Sequence, residues 1–279
     1  MAVVIGTDER RAIALATREH RLVMFLRVAL AATILFVWEA AVRIGIVDPF
    51  FFSQPSAIYT QLAVWITEGT SQGPLWHELL VTMEETVLGF LIGSVMGIVF
   101  GIALGRNKRA AAVLSIYVKV ANAIPRVVLG SIFIIIFGLG MGSKIALAVV
   151  MVFFVVFGNA FQGVREADKN LIANAYILGA SKNQVTFTVV FPSALTWILA
   201  SLHVSFGFAL VGAVVGEFLG ARHGIGLLIA TAQGTFNAAG VFAAMIVLAV
   251  VALAAEYLLT GLENKLLKWR PTQFVEQGM

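Results

Sequence analysis

The chain has 279 residues, of which 60% are apolar and only 12% are charged, whereas soluble domains average roughly 45–50% apolar and about 25% charged residues. This composition excludes a water-soluble enzyme, because too few polar residues are present to cover the apolar surface, and it also excludes disordered, collagen-like and coiled-coil proteins. The absence of cysteine excludes disulfide scaffolds, thiolate metal sites and cysteine nucleophiles. The formal charge of +4 comes from basic clusters between apolar stretches, which favours a membrane protein, so no nucleic acid partner is expected.

Six apolar runs are long enough to cross a bilayer, which takes about 20 residues of helix. The third run contains Pro125 near its middle and the fifth is rich in glycine, and both are tolerated where neighbouring helices satisfy the backbone. We therefore predict an all-α polytopic membrane protein with one transmembrane domain, residues 22–262, between tails at 1–21 and 263–279. The predicted spans cover about 22–45, 81–105, 111–137, 145–163, 193–219 and 239–262.

The positive charges predict the orientation of these spans. With six spans, both tails and two of the connecting segments lie on the same side of the membrane. Fourteen of the 19 lysines and arginines lie in or beside these four segments, and only Arg43, Lys144 and Arg222 lie on the opposite side. Because cytoplasmic loops are enriched in lysine and arginine, both termini are predicted to be cytoplasmic. The first apolar run is too long for a signal-peptide core and has no clear cleavage site, so we interpret it as a retained helix.

Two connecting segments are long. The external segment 46–80 includes an apolar, tryptophan-bearing stretch, residues 57–66, which is able to lie along the membrane surface. The internal segment 164–192 contains a short amphiphilic helix, then Gly179, then a run that ends in Pro192 before the next span. A helix of this kind beside the membrane is a natural docking element for a soluble partner.

Glycines recur every fourth residue in the second span and form a shorter series in the fifth. In a helix this spacing places them on nearly one face, where another backbone can approach closely. The series predicts tight helix packing, and such flat faces would also let helices slide or rock during transport. The glycines assigned to packing are Gly89, Gly93, Gly97, Gly101, Gly105, Gly212 and Gly216.

A few polar residues inside the spans are candidates for a translocation pathway, because a charge at the bilayer centre costs at least about 2.5–3.5 kcal/mol unless it is paired or hydrated. Arg126 fits a pathway residue and a buried ion-pair partner equally well, and Glu217 fits a structural partner or a gate. Glu39 is expected to pair with Arg43 one turn later. The pathway candidates are Asn122, Pro125, Arg126, Asn159 and Glu217.

Other chemistries find no support in the sequence. The four histidines are far apart and show no metal-ligand spacing, so no metal site is predicted. The glycine-rich stretch 138–144 lacks the spacing of a nucleotide-binding loop, and no catalytic constellation is visible, so we expect neither an ATP site nor a catalytic residue in this chain. A membrane-embedded enzyme is disfavoured, and a secondary carrier or channel remains the alternative within transport.

The internal segment resembles the cytoplasmic loop of the permease subunits of ABC-type importers. That loop has Glu-Ala-Ala, three residues, Gly, nine residues, an aliphatic residue, one residue, then an aliphatic residue and Pro. The third residue, the glycine and the proline of this motif are retained here, the two aliphatic positions are apolar, and Ala173 and Asn174 depart from the motif at its first two positions. The residues that the resemblance assigns to ATPase coupling are Ala173, Asn174, Ala175, Gly179, Ala180, Ser181 and Pro192.

Three further stretches, which begin at Trp38, Ile124 and Val214, are similar to the nitrate, sulfonate and taurine branch of these permeases. The resemblance implies a type I importer permease fold (MetI-like) in the bacterial inner membrane. It also implies a second permease copy, two cytoplasmic ATPase subunits that carry ATP and magnesium, and an extracytoplasmic solute-binding protein. Import of a small solute would then proceed by alternating access, and Arg126 favours an anion such as a sulfonate or an aromatic acid.

Overall fold

The computed structural model describes residues 7–266, which form helices joined by short connections. One isolated β-bridge joins Thr70 to Gly73, and no strand occurs within the described residues. The predicted C-terminal tail lies outside the described residues after Leu266. The helices are α1 (Thr7–Arg43), α2 (Pro49–Phe52), α3 (Pro55–Thr67), α4 (Leu75–Arg106), α5 (Lys108–Ala123), α6 (Leu129–Phe137), α7 (Met141–Arg165), α8 (Lys169–Ile177), α9 (Lys182–Val185), α10 (Phe191–Leu219), α11 (Ile225–Gly234) and α12 (Ala238–Leu266).

Several of these helices have the length and composition of membrane spans, as predicted. Between residues 7 and 266, five helical runs are long and apolar enough to cross a bilayer, and there are six if α5 and α6 together make one broken span. The all-α membrane fold class is therefore confirmed. The five continuous runs are Arg21–Arg43, Leu75–Arg106, Met141–Arg165, Lys182–Leu219 and Ala238–Gly261.

The third predicted span, 111–137, is not one continuous helix, which corrects the sequence-based prediction. The chain bends by 75° between α5 and α6, with a 3-10 turn at Arg126–Val128. Pro125 explains the break, because proline has no backbone N–H and disfavours a helical conformation in the residue before it. Ile124 is accordingly extended (φ −71°, ψ 127°).

A second correction concerns the segment 220–238, where α11 is a helix that the sequence analysis does not predict. With 10 residues, α11 is too short to cross a bilayer. It buries Ile225 and Leu228 in a cluster with Trp65 of α3 and residues of α12. This cluster explains why the chain folds back here, since the apolar face of a short helix must be covered.

The stretch 57–66 lies within α3, which packs on the bundle with one face. Ile58 and Trp65 are buried against α11 and α12, whereas Tyr59 and Ile66 are exposed on the other face. α3 is therefore fixed by tertiary contacts in addition to any contact with the membrane surface.

Three helices, α4, α7 and α10, form the centre of the bundle. The glycine series of α4 lies along α7, since a Cβ built on Gly97 would come within 2.8 Å of Val156 Cβ and one on Gly101 within 2.7 Å of Ala160 Cβ. From α10, Gly216 lies in the same close manner against Lys144. Small residues let the three backbones approach this closely. All seven glycines that were assigned to packing contact α7 in this way: Gly89, Gly93, Gly97, Gly101, Gly105, Gly212 and Gly216.

The order of these contacts defines two ends of the bundle. Gly89 lies beside Ala148 and Gly105 beside Val164, so α4 and α7 run parallel. Gly212 lies beside Ala148 and Gly216 beside Lys144, so α10 is antiparallel to both. The connection 166–190 therefore leaves the bundle at one end, the α8 end, and the loop before α11 lies at the opposite end, the α11 end.

Candidate functional site

The loop at the α8 end is built from two capped helices. The side chain of Asp168 accepts a hydrogen bond from Asn170 N (2.7 Å) and caps α8, while Ser181 and Gln184 form a capping box on α9. Such side chains satisfy N–H groups that a helix start leaves without partners. Between the two helices Gly179 has φ +84°, a conformation that L side chains rarely adopt, so a glycine is required at this turn.

One side of this loop is anchored to the bundle and the other is exposed. Ile172 and Ala175 of α8 pack against a buried cluster that includes Val164 of α7. Ile177 and Leu178 at the end of α8 are 82% and 85% exposed. Two adjacent bulky apolar side chains at the end of α8 are thus left uncovered by the rest of the chain.

The structure brings the predicted coupling residues together in this loop. Asn174, Ala175 and Pro192 line one open groove of about 630 Å³ between α8 and the start of α10. Ala173, Gly179 and Ser181 are exposed beside it, and Ala180 packs inward. Pro192 is the second residue of α10, directly after a π-helical turn at Thr186–Val190. The first turn of a helix tolerates the missing N–H of proline.

A basic cavity lies behind α8. It has a volume of about 610 Å³, and its lining includes Tyr176 and Thr186. Four cationic residues also line it, so that an anionic group would be attracted here. These cations are Arg106, Arg165, Lys169 and Lys182.

Two of the polar pathway candidates, Asn122 and Arg126, lie at the bend between α5 and α6. The Arg126 guanidinium donates to Asn122 Oδ1 (2.6 Å) and lies 5.1 Å from the centre of the Phe154 ring on α7. Asn159, also on α7, is partly buried and donates to the carbonyl of Val155 in its own helix (2.9 Å). Arg126 therefore has an amide and an aromatic partner, and the described residues place no carboxylate in a salt bridge with it.

Glu217 lies elsewhere, in a buried polar network at the α11 end. Its two carboxylate oxygens accept hydrogen bonds from Thr82 Oγ1 (2.7 Å) and from Gly226 N (2.6 Å), and the residue is fully buried. Thr82 Oγ1 in turn accepts from Ile225 N (2.9 Å). Of the two roles left open for Glu217, these contacts support the structural one, because they satisfy the first N–H groups of α11.

Two further charged residues complete this network. Glu85 of α4 and Lys144 of α7 are buried beside Glu217 and interact with it electrostatically. Lys144 Nζ donates to the carbonyls of Leu139 (2.8 Å) and Gly140. A buried ammonium group beside two carboxylates offsets part of the cost of removing these charges from water.

Sequence reasoning missed Glu78, a fully buried carboxylate of the same end. Its Oε2 accepts a hydrogen bond from Gly224 N (2.6 Å). The sequence does contain a signal for Glu78. By helical periodicity, Glu78, Thr82 and Glu85 fall on the same face of α4 as Gly89 and the glycines that follow it.

The structure brings two of the four histidines together, although the sequence places all four far apart. His77 and His223 both contact Glu78 Oε1, with their Nδ1 atoms at 3.3 Å and 3.1 Å, and their ring centres are 5.0 Å apart. They are far apart in sequence, but the loop before α11 folds back onto the start of α4. A cluster of three potential metal ligands thus exists at the α11 end.

The predicted pair of Glu39 and Arg43 is confirmed. Arg43 Nη2 lies 2.8 Å from Glu39 Oε1. Glu39 also accepts hydrogen bonds from the backbone N–H (3.0 Å) and hydroxyl (2.8 Å) of Ser56. This carboxylate therefore fixes α1 to the start of α3.

The fold and the loop at the α8 end are shared with a known family. A family described as the inner membrane component of binding-protein-dependent transport systems matches residues 91–268. The chain belongs to this family. It is accordingly a multi-pass membrane permease subunit of the ABC importer type, a transport component and not an enzyme, as the resemblance implied.

Curated relatives extend the similarity over most of the chain. The putative aliphatic sulfonates transport permease protein SsuC of Bacillus subtilis is 32% identical over 241 residues, which cover 86% of each chain. The taurine transport system permease protein TauC of Escherichia coli is 28% identical and covers 88% of this chain and 89% of its own. The riboflavin transport system permease protein RibX of Chloroflexus aurantiacus is 31% identical over 85% of this chain and 87% of its own. The predicted resemblance to sulfonate and taurine permeases is therefore confirmed.

A solved structure has the same fold. The inward-facing methionine ABC transporter MetNI contains a chain that aligns with a TM-score of 0.60 and 19% identity, over 70% of this chain and 94% of that one. The predicted MetI-like permease fold is confirmed by this match.

Proposed function

We propose that this permease subunit couples ATP hydrolysis on partner subunits to the import of a small anion by alternating access. The observation that carries the proposal is the loop at the α8 end, where Ile177 and Leu178 project into solvent from a helix that is anchored to the centre of the bundle. In this proposal each permease copy inserts the end of α8 into a cleft of a cytoplasmic ATPase subunit, and ATP and magnesium are bound there and not on this chain.

The attachment of α8 supports the transmission of force. α8 packs on the cluster that joins the end of α7 to the start of α10, so movement of α8 displaces both helices. A rigid element that contacts a two-state bundle biases its equilibrium when a partner binds one state more tightly than the other. ATP-driven closure of the ATPase pair would turn the path outward, and hydrolysis would return it inward.

The exposure of α5 supports a second copy of the chain. Within the described residues α5 has its main helix contact with α4 and leaves Ile116, Tyr117 and Val120 exposed. Lys119 and Asn122 are exposed on the same helix. Because a charged group facing lipid is costly, we propose that these residues face a polar path between two permease copies.

The charge asymmetry supports the orientation of the complex. The basic residues around the cavity behind α8 support a cytoplasmic position of the α8 end, in keeping with the positive-inside rule. The α11 end then faces outward, where a solute-binding protein delivers its cargo. Both termini are cytoplasmic in this arrangement.

An anion is the favoured substrate because Arg126 stands at the bend between α5 and α6 without a carboxylate salt-bridge partner in the described residues. A guanidinium recognises sulfonates and carboxylates with two parallel hydrogen bonds. Relatives named for aliphatic sulfonates and taurine agree with this chemistry. The relative named for riboflavin indicates that family membership alone leaves the solute open.

The docking proposal predicts the effect of charges at the end of α8. The double variant Ile177→Glu, Leu178→Glu is expected to insert and fold normally, because both side chains are exposed, but to lose its ATPase subunits during purification. Co-purification from native membranes in mild detergent, followed by mass spectrometry, measures this loss. The matched control is Asn183→Glu, which adds a charge to an exposed position of the same loop without removing apolar surface.

Two results would contradict the proposal. Normal recovery of ATPase subunits with the double variant would show that docking occurs elsewhere. A transport-competent oligomer of wild-type chains that contains no ATPase would instead make this protein a secondary carrier or channel.

The substrate proposal predicts that Arg126→Gln reduces transport without loss of assembly. A hydrogen bond to a charged group is worth about 1.5–3 kcal/mol, which corresponds to a roughly 10- to 150-fold lower rate of substrate uptake. Uptake into proteoliposomes, with the loaded binding protein in excess, measures this effect. Arg109→Gln removes the same charge from an exposed position at the start of α5, outside the proposed path, and serves as the control. Uptake and substrate-stimulated ATPase activity at wild-type levels in Arg126→Gln would assign Arg126 a structural role.

A further inference from the structure

Three side chains at the α11 end converge on one point. His77 and Glu78 belong to the first turn of α4, and His223 lies two residues before α11. The Nδ1 atoms of the two histidines lie 3.3 Å and 3.1 Å from the same oxygen, Glu78 Oε1. One ligand atom from each of the three residues lies within 4.8 Å of the other two.

The two nitrogen–oxygen distances fit a tetrahedral zinc site. Zinc binds histidine nitrogen and carboxylate oxygen at about 2.0–2.1 Å, which places ligand atoms roughly 3.3 Å from one another in a tetrahedron. Two imidazole nitrogens and one carboxylate oxygen also select zinc over magnesium and calcium, which prefer all-oxygen ligands.

The surroundings favour a preformed site. Glu78 is fully buried, and its second oxygen accepts a hydrogen bond from Gly224 N (2.6 Å), so the carboxylate is oriented from behind, as ligands in metal sites usually are. The side chains of His77 and His223 are 44% and 46% exposed. A metal ion can therefore enter from solvent, and a fourth position is left for water.

We propose that this chain binds one Zn²⁺ ion through His77 Nδ1, Glu78 Oε1 and His223 Nδ1. The ion joins the start of α4 to the loop before α11. That loop is already held by the network of Thr82 and Glu217, so the metal adds a crosslink between elements that the network brings together. A bound ion in this position restricts the mobility of the α11 end.

The experiment uses the full chain, purified with its co-purifying partners through a tag that contains no histidine, and stripped of metal with a chelator. Titration with Zn²⁺ is expected to give one saturable site per chain. Co²⁺ in the same site is expected to give the intense visible absorption of tetrahedral coordination. His77→Gln and His223→Gln keep a hydrogen-bond donor beside Glu78 and are each expected to weaken zinc binding at least about 10- to 100-fold. His203→Gln is the control, since His203 contacts Glu256 and, among the residues that the structure describes, belongs to no cluster of three ligands.

A second measurement on the wild-type chain does not depend on the folding of any variant. Bound zinc is expected to protect His77 and His223 from a histidine-modifying reagent, mapped by mass spectrometry, and to leave His203 equally reactive with and without metal. Absence of a saturable site, zinc binding that the two variants leave unchanged, or failure of zinc to protect the two histidines would each overturn the proposal. The pair would then be hydrogen-bond partners of Glu78 only.

Discussion

Gly101→Leu is expected to destabilise the bundle by about 3 kcal/mol, at the upper end of the usual range for overpacking a filled core. A Cβ at this position would lie 2.7 Å from Ala160 Cβ and 2.8 Å from the carbonyl oxygen of Phe157. The second neighbour is backbone, so α4 and α7 must separate to admit a larger side chain. Thermal unfolding of the purified protein in detergent, with size-exclusion chromatography, measures the lowered Tm.

Gly261→Leu is the matched control for this substitution. Gly261 and Gly101 each lie five residues before the end of their helix, and a Cβ on Gly261 meets nothing within 4 Å. A change below about 0.5 kcal/mol is expected there, as for most open surface positions. Equal Tm values for the two variants would contradict the close approach of α4 to α7.

Glu217→Ala is expected to destabilise the protein by about 3–5 kcal/mol, because two buried donors lose a charged acceptor, at roughly 1–3 kcal/mol for each group left unsatisfied. Gly226 N and the hydroxyl of Thr82 lose their acceptor, and Lys144 loses a nearby negative charge. Since these contacts hold the start of α11, limited proteolysis is expected to cleave the loop before α11 faster in the variant.

Glu217→Gln tests whether hydrogen bonding or charge is responsible. The amide keeps one acceptor but presents an N–H group to the second donor, so an intermediate loss of about 1–2 kcal/mol is expected. Glu84→Ala is the control, since Glu84 is exposed on α4, next to the buried Glu85, and is expected to change stability by less than about 0.5 kcal/mol. If Glu217→Ala kept the wild-type Tm and protease resistance, the carboxylate would not hold α11, and the gate role would regain support.

Gly101→Leu and Glu217→Ala probe opposite ends of one rigid body. The close packing of α4, α7 and α10 joins the loop with α8 to the buried carboxylates at the α11 end. Because packed helices move as units more readily than they deform, movement of α8 would reach the α11 end through this body. The bend at Pro125, between α5 and α6, lies beside this rigid body. α5 and α6 are less tightly packed than the three central helices, so the proposed translocation path would open there.

Much of this architecture follows from the sequence because its physical cause is local. A run of about 20 apolar residues must be a helix in a bilayer, whatever its neighbours. Glycines at every fourth residue share a helix face by periodicity alone, and the contacts of Gly97 and Gly101 with α7 follow from that face. The pair of Glu39 and Arg43 depends only on one helical turn.

What the sequence could not determine depends on which segments meet in space. Pro125 marks a break in the third span, but the angle of 75° depends on how α6 packs on α7. α11 has an apolar sequence that is too short for a span, so only its cluster with α3 and α12 explains it.

The buried network and the histidine cluster are the clearest cases. Glu78 and Gly224 are 146 residues apart, and a carboxylate in an apolar run does not reveal its distant donor. The helix spacing that places Glu78 and Thr82 on one face was present in the sequence. The loop that covers this face was decided only by the tertiary fold, because the hydrogen bonds that satisfy buried charges can be made by any segment that the chain folds back.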